Sequence, residues 1–199
     1  MFRGKWLSLD RILEQLNDAS LKILEKTGVK FFHQEILRIL QNSGIKVIGQ
    51  TAFFSSHQIL DWISKAPVTF SVYARNPQHD IEIGGDRIEL AAGYGAPVII
   101  DEKGNRRPAL FSDYKNFVKL IHQCPLFNIN GGILVQPADL GVGESFPLML
   151  YAAMIYSDKA LIAGAGGEKE TNIVFNMLDI VFGKESLRSR PRIMTIINS

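Results

Sequence analysis

Cysteine is almost missing from this chain, and the one present, Cys124, has no second cysteine to pair with. An intrachain disulfide framework is thereby excluded, and a reducing compartment fits. No run of 18 apolar residues occurs, so no membrane-spanning helix is expected. The opening Met1-Phe2-Arg3-Gly4-Lys5-Trp6 lacks the apolar core of a signal peptide. These absences together point to the cytoplasm and away from a membrane partner. Charge of one sign is also lacking. The 22 Lys and Arg against 20 Asp and Glu leave only +2 at pH 7, with no basic stripe among aromatics. Nucleic acid is therefore a poor partner. What is present is ordinary globular usage, 46% hydrophobic and 21% charged over 199 residues. That supports one sizeable core, or a small domain plus part of a larger one.

Apolar residues first recur at helical spacing. Ile12, Leu13, Leu16, Ala19, Ile23 and Leu24 share one stripe over residues 8–27, with Ser8 or Asp10 as cap and Gly28 as stop. A second helix is expected over 33–43 with a stop at Gly44. A third, capped by Ser55 or Ser56, ends before Pro67. The period then changes to two. Val68, Phe70, Val72 and Ala74 alternate with polar residues, which reads as a half-buried strand. Asn76-Pro77, Gly84-Gly85-Asp86 and Lys103-Gly104-Asn105 mark turns between short strands at 81–83, 88–92 and 98–101, antiparallel in character.

From residue 112 the pattern changes again. Ser112 is expected to cap a helix carrying Phe117, Val118 and Ile121. Strands over 128–135, 160–165 and 192–197 alternate with helices over 145–157 and 169–182. The strand starts at Asn128, Ala160 and Arg192 are 32 residues apart each time. Such alternation predicts parallel strands with right-handed crossovers, and the period matches the roughly 31 residues per unit of a closed eight-fold βα barrel. The fold class expected is α/β: a partial TIM-type (β/α) barrel over residues 111–199 behind a helical and antiparallel β lead-in over 1–110. The last strand runs into the end of the chain with no helix to cover it, which predicts the front part of a longer protein. A complete open sheet of flavodoxin type, with that strand at its edge, is the other reading.

Parallel α/β proteins place chemistry at the C-terminal ends of their strands. The candidates there are Gly93-Tyr94-Gly95, Gln136 to Asp139, Gly164 to Gly167, and Asn198-Ser199. Gly164-Ala165-Gly166-Gly167 could offer backbone N–H groups to a phosphate at a helix start, but the dinucleotide spacing is missing, Glu168 would repel phosphate, and turn geometry alone explains such glycines more often than not. Gly131-Gly132 inside a strand reads as close approach of a backbone or ligand, or as packing. His33, His57, His79 and His122 are scattered, so no metal site is expected. Asp158-Lys159 reads as ordinary loop polarity and Cys124 as structural. Spacing alone names no reaction.

Several stretches carry a resemblance. Tyr73-Ala74-Arg75-Asn76-Pro77, then Gly84-Gly85-Asp86-Arg87 and Gly93-Tyr94-Gly95-Ala96-Pro97, resemble the trimethylamine methyltransferase (MttB-type) family, N-terminal portion. Residues 19–29, Arg107-Pro108-Ala109 with Asp113-Tyr114, Gly131-Gly132, Ser157-Asp158-Lys159, Val181-Phe182-Gly183 and Ile196-Ile197-Asn198 match in order. The resemblance covers nearly the whole chain and less than half of a typical member. It implies a TIM-type barrel and transfer of a methyl group from a methylated amine, trimethylamine or a quaternary amine such as a betaine, to the cobalt of a separate corrinoid protein. It implies no directly bound cofactor, a homo-oligomer at full length, and pyrrolysine in some members beyond this segment. The substrate-side residues it suggests are Tyr94, as a cation-facing aromatic, and Asn198, as a hydrogen-bonding amide. Gly93, Gly95, Gly164 and Gly166 would shape the rim. No catalytic residue is named. A non-catalytic α/β fragment, or a phosphate-binding module using Gly164 to Gly167, is the alternative.

Overall fold

A computed structural model describes residues 9–141, 143–164 and 166–196. The architecture is mixed α/β, with four small sheets among the described residues. Packing divides the chain into two compact units, one up to Pro67 and one from Val68 onward.

In the first unit α1 (Leu9–Lys26) runs into Gly28, whose φ of +73° turns the chain back. A side chain there would be strained by that φ, and its Cβ would lie 2.6 Å from the Ala52 carbonyl oxygen. β1 (Val29–Lys30), α2 (Gln34–Asn42), β2 (Lys46–Ile48), β3 (Thr51–Phe53) and α3 (Ser56–Ser64) follow. The helical lead-in therefore also holds a three-stranded antiparallel sheet, in the order β1-β3-β2. Its strands are two or three residues long, too short to print an alternation. Ile45, Ala52 and Phe54 form the buried centre, with Leu24, Phe31 and Ile59 against it. Ser55 is the cap of α3. Its hydroxyl accepts from the Gln58 N–H (3.3 Å), and the Gln58 amide oxygen accepts from the Ser55 N–H (3.0 Å). The α1 stripe is mostly unburied: Leu13, Leu16 and Ile23 are each more than half exposed.

In the second unit β4 (Thr69–Val72) and β5 (Ile81–Gly84) pair antiparallel, Val72 opposite Ile81. β6 (Val98–Ile100) and β7 (Arg106–Pro108) make a second hairpin. The Asp101 carboxylate accepts from the N–H groups of Lys103 and Asn105 in its turn. The strand expected at 88–92 is not a ladder. Instead the segment around Ala91 and Ala96 lies parallel to the next strand, through single bridges from Ala91 to Ile129 and Ala96 to Val135. Five steps on one side face six on the other, so the ladder cannot run unbroken.

α4 (Phe111–Gln123), β8 (Ile129–Gly131), α5 (Ser145–Tyr156), β9 (Ala160–Ala163), α6 (Glu168–Phe182), α7 (Lys184–Ser189) and β10 (Ile193–Thr195) complete the unit. β8, β9 and β10 are parallel neighbours, as their even spacing predicted. They are shorter than the windows expected. Gly131 and Gly132, at φ +95° and +69°, turn the chain out of the β8 ladder. Helix α7, inside the stretch expected as loop, was not anticipated. Ser112 does not cap α4. The helix begins at Phe111, and its open N–H groups are met by carboxylates: Asp113 accepts from Leu110 N–H and Asp139 from Phe111 N–H, each at 2.8 Å. Ser112 already lies inside the first turn.

The parallel sheet is covered on both faces. Leu161 packs with Leu150, Ala153 and Leu178 of α5 and α6. On the other face Ile129, Ala160 and Ile162 meet Val72 and Ile81 of the hairpin. Each fully buried Leu or Ile contributes about 1.5–3 kcal/mol. This two-sided burial explains why the strands read as continuous apolar runs. Among the described residues no helix is long and apolar enough to cross a membrane.

Candidate functional site

Tyr94 sits beside β8, near the end where the parallel strands give way to loops. Its ring rests on Gly132, where a built Cβ would lie 2.8 Å from Tyr94 Cε2. The side chain is half exposed. Burial on its packed side pushes the phenol above its usual value, against a hydrogen bond from the Ile133 backbone. The neighbouring Gly95 N–H donates to the Ile133 carbonyl at 2.5 Å. Gly132 is held from two further sides. Its N–H donates to the Ile162 carbonyl at 2.6 Å, and its carbonyl accepts from the fully buried Tyr114 hydroxyl at 2.9 Å. A Cβ on Gly131 would stand 2.6 Å from the Ile162 carbonyl oxygen. Close backbone approach explains Gly131, and the Tyr94 ring together with a left-handed φ explains Gly132.

The suggested residues line two separate cavities. Gly93 and Tyr94 border one of about 670 Å³, walled by Phe117, Leu120 and Phe127. Gly93 has neither a left-handed φ nor any atom within 4 Å of a built Cβ, so the fold itself does not require glycine there. Gly95 does need it, at φ +81°. Gly164 and Gly166 border the second cavity, of about 350 Å³, with Phe146, Glu170, Phe175 and Met194. A side chain on Gly164 would run into the Phe146 ring, and one on Gly166 into Glu170. Glu170 also accepts from the Gly167 N–H at 3.2 Å, so the protein's own carboxylate fills the helix start at which a phosphate would bind. Asn198 lies outside the described residues.

The other end of the strands holds polar residues whose grouping the sequence hid. The Asp158 carboxylate is approached by His79 Nε2 and His122 Nδ1, each at 3.5 Å, and accepts from the Asn76 amide at 3.1 Å. His122 therefore faces inward, because the start of β9 is drawn between α4 and the β4–β5 connection. Among the described residues no group of three or more His, Cys, Asp or Glu is arranged to hold a metal ion. Lys159 is not loop polarity either. It is buried, and its ammonium donates to the carbonyls of Ile121, Cys124 and Phe127 at 2.9, 2.7 and 2.7 Å. It closes the C-terminal end of α4, and burial pushes its pKa down. In parallel barrels this end of the strands stabilises and the opposite end reacts. Sequence spacing carried no signal for Tyr114, Phe146 or Lys159, because each meets partners far along the chain.

A glycine betaine methyltransferase of Desulfitobacterium hafniense (strain Y51) is 31% identical over 188 residues, covering 94% of this chain and 39% of that protein. A trimethylamine methyltransferase MttB of Desulfitobacterium hafniense (strain DSM 10664 / DCB-2) is 29% identical, covering 92% and 37%. An L-carnitine:corrinoid methyltransferase of Eubacterium limosum is 23% identical over 150 residues, covering 75% and 31%. The chain thus spans about two-fifths or less of the length of these relatives. The model of the family described as trimethylamine methyltransferase (MTTB) matches residues 4–199. A match over nearly every residue decides the membership: the chain belongs to the trimethylamine methyltransferase (MTTB) family.

Proposed function

We propose that this chain contributes the leading part of an enzyme that moves a methyl group from a methylated amine to a corrinoid protein. In this reading residues 1–110 are a lead-in and residues 111–199 the first βα units of a TIM-type barrel. The family match over residues 4–199 carries the reading. The names of the relatives supply the substrate class: glycine betaine, trimethylamine, L-carnitine and proline betaine are tertiary or quaternary amines. Two of the names specify a corrinoid.

Such a substrate is a compact cation with few hydrogen-bonding groups, so binding it relies on aromatic faces and on shape. Tyr94 is the aromatic proposed to meet it, with one face packed and part of the ring open. Gly93 and Gly95 keep the mouth free of side chains, and Gly164 and Gly166 do so at the neighbouring strand end. Asn198 is proposed as the amide that hydrogen-bonds a substrate carboxylate or the edge of the corrinoid. The corrinoid, on its own protein, supplies the cobalt nucleophile that takes the methyl group. Gly93, a glycine that packing does not demand, fits the approach of such a broad, flat group. A cytoplasmic setting and homo-oligomeric assembly at full length belong to the same proposal.

The test mixes full-length protein with its reduced corrinoid partner and a panel of amines: trimethylamine, glycine betaine, carnitine and proline betaine. A change in corrinoid absorbance with one of them is the expected result. Silence with every tertiary and quaternary amine would overturn the reading.

A further inference from the structure

We infer that Tyr114 is a positioning residue: through the carbonyl of Gly132 it holds the backbone corner on which the Tyr94 ring lies, and so fixes the plane that an amine would meet. This inference rests on the reading of Tyr94 as the amine-facing aromatic.

Three connections build it. Tyr114 is fully buried on α4, stacked on Phe111 with ring centroids 6.2 Å apart and planes at 15°. Its hydroxyl reaches 2.9 Å to the Gly132 carbonyl. Gly132 is thus tied at both peptide groups, by β9 through its N–H and by α4 through its carbonyl. The position a side chain would take on Gly132 faces Tyr94 and Ile162, with no room for a methyl group, and its φ of +69° disfavours one as well. The ring of Tyr94 therefore has a rigid back wall and an open side. Without the Tyr114 hydroxyl the Gly132 carbonyl loses its buried donor and the corner is free to turn. The Tyr94 ring would turn with it. A substrate whose reacting methyl must be aimed is sensitive to small misplacement of its contacts.

The test needs no turnover. The chain holds five tyrosines, so uniform 3-fluorotyrosine labelling yields a small set of ¹⁹F resonances, and Tyr94→Phe assigns the one in question. Tyr114→Phe keeps the packed ring and removes only the hydroxyl. Phe111→Leu loosens the ring stacked on Tyr114 while keeping the hydroxyl, and serves if the first variant folds poorly. In both, the Tyr94 resonance is expected to move or broaden, while that of Tyr73, whose ring lies under Arg190 and Arg192, holds still. An unmoved Tyr94 resonance in the folded Tyr114→Phe chain overturns the inference. Titration with tetramethylammonium chloride separates the underlying reading. The parent Tyr94 signal is expected to respond, and Tyr114→Phe to weaken the midpoint roughly threefold to tenfold. If Tyr94 moves in Tyr114→Phe yet the parent ignores tetramethylammonium, the positioning stands and the amine assignment to Tyr94 falls.

Discussion

Lys159 shows how much one side chain can carry at the stable end of a parallel sheet. Three carbonyl groups at the end of α4 depend on its ammonium. Lys159→Met keeps much of the stem but strands those acceptors, and unpaired buried polar groups are costly. The expected loss is about 2–4 kcal/mol, read by urea denaturation. Asp113 gives the complementary case of a carboxylate. Arg107 grips it at 2.7 and 2.8 Å while it also accepts from the Leu110 N–H. The Arg107 hydrogen bonds hold its carboxyl below the ordinary 3.8. At pH values between the folded and ordinary values the unfolded chain binds more protons, so stability rises with pH there. The contribution is complete above 3.8 and fades as pH falls through the folded value. Asp113→Asn is expected to cost about 1–2 kcal/mol at pH 6. Its deficit should stay level down to about pH 5 and shrink below about pH 4, as followed by denaturation at each pH.

At the scale of elements, caps and glycines set the boundaries. The α3 capping box is complete on both arms, so Ser55→Ala is expected to lower stability by about 1 kcal/mol in urea denaturation. Ser56→Ala, inside the helix, should change it by less than half of that. The longer helices were legible by their 3.6-residue period, and the three parallel strands by their apolar runs and regular spacing, all written in the order of residues. The β1-β3-β2 sheet was not, since two-residue strands have no period to read. The segment from Ala91 to Ala96 was misjudged as antiparallel because its partner, Ile129 to Val135, lies almost 40 residues away. The start of α4 was misplaced for the same reason, since one of the carboxylates that cap it, Asp139, comes from a distant loop.

Across the molecule, the described sheet leaves apolar surface along its margins. β10 pairs only with β9 among the described residues, and Ile196 just beyond it is more than half exposed. Phe175 on α6 is exposed beside it. Unpaired apolar edges drive edge-to-edge association. The 199-residue chain by itself is therefore expected to self-associate at micromolar concentrations, seen as a concentration-dependent mass in light scattering. Ile196→Lys should shift it toward monomer, because a charge on the edge resists pairing. Equal masses for both proteins at every concentration would refute this.

Residue order alone determined the helix stripes, the turns, the parallel βα alternation and, through matching stretches, the family. These follow from rules that act over a few residues, where chain connectivity already brings the participants together. Only tertiary packing decided what stands beside Tyr94, which glycines are forced by close backbone approach, and why Asp158 and Lys159 are internal. Those facts depend on groups 30 to 80 positions apart meeting in the folded chain, as Lys159 meets the Phe127 carbonyl and Arg75 the Met154 carbonyl, and contacts of that range leave no periodic trace in the sequence.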